Sequence, residues 1–257
     1  MKTVSTDYRV TSEDSDLRPT RIREGESDLF ILSPRECSSE ARRSLLYWRG
    51  ELKKYLKKNP AFRRSVLPLA VEEGAPRIVR EMAKASARCG VGPMAAVAGA
   101  LAHLVGEDLL SFWPEIIVEN GGDIFIASRK KRTVSVYAGE KNYFSGRLGI
   151  VIDPRRTPLG VATSSGRVGP SLSWGRAGAA VAVAATAPLA DAAATALANR
   201  IYSPRDSTWR EAIAFTNKID GIMGGVIIMG RKVCAWGEIE LVAIKNQEHR
   251  AAGNNPG

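Results

Sequence analysis

Asp191 and Thr195 stand four residues apart in Ala190–Thr195 (ADAAAT). On a helix that spacing puts a carboxylate and a hydroxyl on one face. The intervening alanines leave room for a close neighbour. Hard oxygen donors of this kind suit Mg2+ when substrate phosphates complete its shell. A structural account fits the same residues: an aspartate near a helix start, favoured by the dipole, and a threonine bonded to the preceding turn. Glu119–Asp123 (ENGGD) sets acidic and amide side chains around two glycines, which serve either a backbone approached by a ligand or a hairpin turn. Thr163–Gly166 (TSSG), with VGPSLSWG after it at 168–175, supplies hydroxyls and glycines beyond a strand. Such a loop wraps a phosphate or simply faces solvent. Gly90–Ala95 (GVGPMA) fits G-x-G-x-x-A, but it follows a helical pattern and Pro93 removes one amide. It reads as a tight loop entering a buried helix, not as a dinucleotide fingerprint.

Other chemistries lack their residues. The two histidines are His103, in an apolar helical pattern, and His249, in a polar tail, so a Ser-His-Asp triad or a multi-histidine metal site is not expected. No P-loop pattern occurs. Cys37, Cys89 and Cys234 are odd in number and widely spaced, which points to reduced thiols and a cytoplasmic setting. The first 26 residues have no apolar core of a signal segment. The small-residue stretch 177–197 contains Pro188 and Asp191 and is a poor membrane span.

The elements that must position these residues follow from periodicity. Ala41, Leu45, Trp48, Leu52, Tyr55 and Leu56 recur at spacings of three and four, predicting a helix from Ser38 to just before Pro60. Helices are also expected at Pro76–Cys89, Met94–Val105, Leu189–Ile201 and Thr208–Ile219. Strands are expected at Ser27–Ser33, Glu115–Glu119, Asp123–Ala127, Thr133–Tyr137, Leu148–Ile152, Gly160–Thr163 and Ala179–Ala184. Met223–Met229 and Lys232–Ile244 read as a closing hairpin around Gly230. Successive strands on short connections favour an α+β fold with a largely antiparallel sheet over a doubly wound parallel one. With 257 residues, 44% hydrophobic and 25% charged, the chain is an ordinary globular protein and neither disordered nor a disulfide scaffold. The expected layout is a polar tail over 1–26, with a short strand at 20–24, one compact domain over 27–245, and a tail over 246–257.

Four segments in one order, Gly90–Gly99 (GVGPMAAVAG), Glu119–Asp123, Gly160–Gly166 (GVATSSG) and Ala190–Thr195, resemble the ApbE-like superfamily of FAD:protein FMN transferases. They look closest to its shorter cytoplasmic branch, and the resemblance runs from about Asp28 to about Leu241. It implies an ApbE-like sheet flanked by helices, with the ligand site between its halves. Asp191 and Thr195 match the family's Mg2+ positions. Asn120, Gly121, Gly122 and Asp123 match the glycine-rich turn near the flavin nucleotide. Thr163, Ser164, Ser165 and Gly166 match the hydroxyl-rich loop beside the diphosphate. Transferases of this family split FAD, attach FMN to a protein Ser or Thr, and release AMP, with Mg2+ neutralising the diphosphate. This chain has Pro170–Trp174 (PSLSW) where they carry a histidine, and it lacks the acidic residue and lysine of their glycine-rich element.

The expected function is therefore binding of FAD or a related nucleotide with Mg2+, with diphosphate cleavage or FMN transfer to a protein acceptor. The alternative is a flavin- or nucleotide-binding protein without transferase chemistry. Residues 41–88 carry 13 Lys and Arg against four acidic residues, nearly all of the +10 net charge. That stretch is either a solvated face or a docking surface for nucleic acid or another acidic partner. Trp48 and Tyr55 belong to the buried stripe, which argues against base stacking. No membrane partner is expected.

Overall fold

The computed structural model describes residues 16–164 and 177–244. Eight strands form the main sheet: β1 (Arg18–Glu24), β2 (Ser27–Ser33), β3 (Ile116–Asn120), β4 (Asp123–Ala127), β7 (Leu159–Ser164), β8 (Ala179–Ala184), β9 (Ile222–Met229) and β10 (Lys232–Gly237). They lie in the order β1-β2-β3-β4-β7-β8-β9-β10, and every neighbouring pair is antiparallel. A second sheet, β11-β6-β5, is built from β5 (Arg132–Ser135), β6 (Leu148–Ile152) and β11 (Glu240–Ala243). The helices are α1 (Ser38–Lys58), α2 (Pro60–Arg64), α3 (Arg77–Cys89), α4 (Val97–Leu110), α5 (Ala187–Arg200) and α6 (Asp206–Thr216). The fold is α+β, as the short connections imply.

Period-two alternation divides the main sheet's side chains between two apolar layers. On β3 and β4, Ile116, Val118 and Phe125 face the helices, while Ile117, Ile124 and Ile126 face the small sheet's Ile150 and Ile152. β8 (AAVAVA) turns Val181 and Val183 to the small sheet and Ala182 and Ala184 to the helical layer. Alanine on that face lets α5 lie close to the sheet. On β7, a Cβ at Gly160 would overlap the backbone of Ala187 at the start of α5. Most of α5 is buried, because the sheet, α3, α4 and α6 enclose it. The stretch Pro93–Leu110 is long and apolar enough to cross a membrane, but 61% of it is buried within the fold.

Several expected boundaries move, each for a local reason. The strand expected at 20–24 runs Arg18–Glu24 and pairs along its whole length with β2, so the sheet begins inside the stretch read as tail. Its buried residues Thr20 and Ile22 are interleaved with Arg21 and Arg23, and only Ile22 is apolar, which hid the alternation. The helix expected to end at Val105 continues to Leu110, since Asp108 is not a stop but an acceptor for Ser44 Oγ (2.6 Å) and Trp48 Nε1 (2.8 Å) of α1. The strand expected over Lys232–Ile244 is two strands. Gly237, at φ +71°, breaks it, and β11 leaves β10 to pair with β6 in the other sheet. α2 was absent from the expected elements. The tail at 246–257 lies outside the described residues.

The small sheet is fastened by Arg132, whose side chain is 2% exposed. Its guanidinium donates to Asp16 Oδ1 (2.8 Å), Asp16 Oδ2 (3.0 Å) and Glu115 Oε2 (3.2 Å). The hydrogen bond from Arg132 holds the Asp16 carboxyl well below the usual carboxylate range. A depressed carboxylate contributes stability above its unfolded pKa of about 4, and that contribution fades as pH falls below it. Asp16→Ala is expected to cost roughly 2 kcal/mol at pH 7, with the gap to wild type narrowing below pH 4. Urea midpoints at the two pH values check it; equal midpoints at pH 7 would remove Asp16 from the clamp.

Candidate functional site

The first turn of α4 follows a 3-10 turn, Pro93–Ala96, and its N-cap Ala96 has no side chain able to cap it. Asp191 fills that role from another helix. Gly99 N donates to Asp191 Oδ2 at 2.9 Å, and the amide of Ala98 also points at the carboxylate. Four amides at a helix start lack intrahelical partners, so a carboxylate there satisfies donors and meets the positive end of the dipole. The approach depends on Gly99, where a Cβ would overlap the Ala187 carbonyl oxygen and lie 2.8 Å from Asp191 Cβ. Asp191 is therefore a cap for α4, not for its own helix.

Asp123 opens β4 after a two-residue turn in which Gly121 (φ +67°) and Gly122 (φ +106°) both adopt the left-handed conformations that such hairpins require. Side chains consolidate the turn. Glu119 Oε1 accepts from Gly122 N at 3.2 Å, and Asn120 Nδ2 donates to Ala98 O at 3.2 Å, tying the hairpin to the start of α4. Thr163, on the adjoining strand, donates its amide to the Asp123 carboxyl.

Asp123, Asp191 and Thr195 share one cleft of about 530 Å3, lined also by Met94, Ala95, Val97, Ala98, Arg63 and Arg64. Burial pushes the Asp123 carboxyl well above its ordinary range, and the nearby carboxylates of Asp191 and Glu119 push it further. Burial pushes Asp191 up to about 7, against the opposing pull of the Gly99 and Ala98 amides, although its side chain keeps some surface in the cleft. Thr195 is 7% exposed, lines the cleft, and makes no hydrogen bond back to the preceding turn among the described residues. Two carboxylates and a hydroxyl lining one cleft offer oxygen donors of the kind that suits a hard divalent cation. The residues present fit Mg2+.

The structure thus brings Asp123, Asp191 and Thr195 together. Gly121 and Gly122 make the turn behind Asp123, Asn120 holds the α4 backbone, and Thr163 and Ser164 end the neighbouring strand, outside the cleft lining. Ser165 and Gly166, with the 170–174 stretch, lie outside the described residues. Arg63 and Arg64 were missed by the sequence reading. Their signal, an R-R pair closing a short proline-initiated helix, was submerged among the cations of 41–88. Trp48 and Tyr55 are buried, as the apolar stripe predicts. His103 packs edge-on against Phe125 with centroids 5.2 Å apart, in the core and away from the cleft. All three cysteines are free, and burial pushes the Cys89 thiol up to about 12.

Comparison with known proteins accords with this architecture. The chain is 40% identical over 192 residues to UPF0280 protein of Methanocella arvoryzae, covering 74% of this chain and 77% of that one. It is 35% identical over 210 residues to UPF0280 protein of Methanosarcina acetivorans, covering 81% and 82%. Among solved structures it resembles the flavinyl transferase ApbE of Pseudomonas stutzeri, apo form, with a TM-score of 0.57, 14% identity, and coverage of 90% and 95%. The flavin transferase ApbE of Vibrio cholerae gives a TM-score of 0.52 at 11% identity, covering 86% and 97%. At those identities the likeness is one of fold. Residues 9–229 match the family described as AbpE bacteria, and with most of its length inside that match the chain belongs to this family.

Proposed function

We propose that the cleft between α4, α5 and β4 binds FAD or a related nucleotide together with Mg2+, and that the protein cleaves the diphosphate or passes FMN to an acceptor hydroxyl. One observation carries this reading: Asp123 and the Asp191–Thr195 pair, from two separate sequence segments, converge in a single cleft whose lining also includes Arg63 and Arg64. Asp191 and Thr195 would hold the metal, with Asp123 beside them. Bound there, Mg2+ would neutralise diphosphate charge and favour departure of AMP. The chain's own contribution is positional. The Asn120–Ala98 bond and the Asp191 cap fix the two carboxylates relative to α4. In the reaction the P–O–P bond breaks, AMP leaves, and the FMN phosphorus joins the oxygen of a Ser or Thr hydroxyl of a protein acceptor, or of water, whose proton passes to the departing phosphate or to solvent. A cytoplasmic setting, where thiols stay reduced, accords with the three free cysteines.

A second reading, ligand binding without turnover, has its own support. Among the described residues the ionisable groups lining the cleft are the two carboxylates and two arginines, with no histidine or lysine. Incubating the purified protein with FAD, with and without Mg2+, and separating the products by HPLC distinguishes the two. Metal-dependent AMP release is the expected result. FAD retained on the protein but recovered intact would leave binding alone, and FAD neither retained nor cleaved would end both readings.

A further inference from the structure

We propose that Arg63 and Arg64 form an anion-binding wall of the cleft that grips the phosphates of a nucleoside diphosphate whose metal lies at Asp191 and Thr195. The inference rests on the reading of the cleft as a nucleotide site and names the residues that select its ligand class.

The two arginines are presented by an anchored turn. Pro60 opens α2, and Phe62, 2% exposed, sits edge-on to Tyr55 with centroids 5.4 Å apart. Ser65 N donates to Ala61 O at 2.9 Å, and Ser65 Oγ donates to Leu67 O at 2.7 Å. The Ser65 carbonyl oxygen then packs so closely on Gly92 that no Cβ fits there, which fixes the end of α2 against the turn leading into α4. The same contact explains a glycine at 92, beyond loop entry.

Several neighbouring cations are locally paired. Arg49 pairs with Glu26 (2.7 Å), Arg77 with Glu107 (2.6 Å) and Arg88 with Asp220 (3.1 Å), while Arg80 donates to Ala75 O (2.5 Å). Arg63 and Arg64 have no ion-pair or hydrogen-bond partner among the described residues, yet both line the cleft. The planar forks of two guanidiniums suit phosphate oxygens. The cleft lining is therefore bipolar, with two carboxylates and a threonine hydroxyl beside two exposed, unpaired arginines. A polyanion carrying a hard cation satisfies both kinds of group at once. A volume of about 530 Å3 is ample for the diphosphate and one nucleoside.

The test is calorimetric titration of wild type, the Arg63→Ala/Arg64→Ala double variant and the Arg63→Lys/Arg64→Lys double variant, at one ionic strength. The probes are ADP with MgCl2, FAD with MgCl2, and inorganic pyrophosphate. Each arginine is expected to contribute about tenfold, so the alanine pair weakens MgADP about a hundredfold, with the lysine pair between. The ligand-free alanine pair is expected to melt with wild type, since no intramolecular partner is lost. Wild-type affinity for MgADP in that variant would overturn the proposal. If FAD binds wild type and the alanine pair equally, the flavin reading survives and this inference falls. If wild type binds MgADP or pyrophosphate but not FAD, the inference stands and the flavin reading fails. If wild type binds none of the probes, the inference is overturned along with it.

Discussion

Asp191→Asn is expected to weaken Mg2+-dependent nucleotide binding by at least about a hundredfold while raising the melting temperature of the ligand-free protein. The two effects share a cause. Burial raises the proton affinity of both Asp191 and Asp123, and the Asp191 carboxylate further disfavours ionisation of Asp123. A carboxyl whose pKa is raised by folding is an ionised group that the fold resists, so at neutral pH its charge lowers stability. Asparagine keeps an oxygen to accept from Gly99 N and leaves α4 capped, while removing the charge a cation needs. Asp191→Ala separates the roles. It also loses the charge, but forfeits the cap, at about 1 kcal/mol. Thermal melts of the three proteins, each with and without MgCl2, decide the matter. The asparagine variant is expected to melt a few degrees above wild type without metal and to gain nothing from Mg2+. A variant that melts lower, or that still gains from Mg2+, would show that the Asp191 charge is neither resisted by the fold nor used for metal.

Gly99→Ala is expected to destabilise the fold by roughly 3 kcal/mol and to lose metal-dependent binding with it. The added methyl would overlap the Ala187 carbonyl oxygen and press on Asp191 Cβ. The first obstacle is helix backbone, which no rotamer change relieves, so α4 and α5 must separate. Separation lengthens the Gly99–Asp191 hydrogen bond and moves the carboxylate off its capping position. For a chain of this size the loss corresponds to a fall of roughly 6–12 °C in Tm. Gly50→Ala in α1 is the control. Nothing lies within 4 Å of a Cβ at Gly50, so replacement there is expected to stabilise by a few tenths to about 1 kcal/mol. Denaturant midpoints for the two variants are the measurement. Parallel behaviour would mean that the α4–α5 contact yields without cost and does not position Asp191.

Much of the architecture was legible residue by residue. The i, i+3, i+4 pattern from Ala41 to Leu56 predicted α1, and alternation gave β4, β6 and β8 with their observed bounds. Asn120–Asp123 read as a hairpin turn because adjacent glycines adopt positive φ readily, and they do so here. Those features are local: they depend on neighbours within a few residues, which the sequence itself supplies. Where distant chain overrides local pattern, the reading stopped. β1 alternates too weakly by itself and exists through full pairing with β2. One apolar run near the C-terminus became two strands in different sheets, because Gly237 redirects the chain toward β6.

The candidate site divides along the same line. Residue types and spacing singled out Asp123, Asp191 and Thr195, since a helical interval of four and a strand start after a turn are local facts. Only the tertiary structure decided that the three share a cleft, that Asp191 caps α4, that Asn120 is spent on the Ala98 carbonyl, and that Arg63 and Arg64 line the same cleft. Burial, charge pairing and close approach are sums over residues far apart in the chain. A sequence names the groups able to bear such interactions, and only their packing sets which charges remain uncompensated and where.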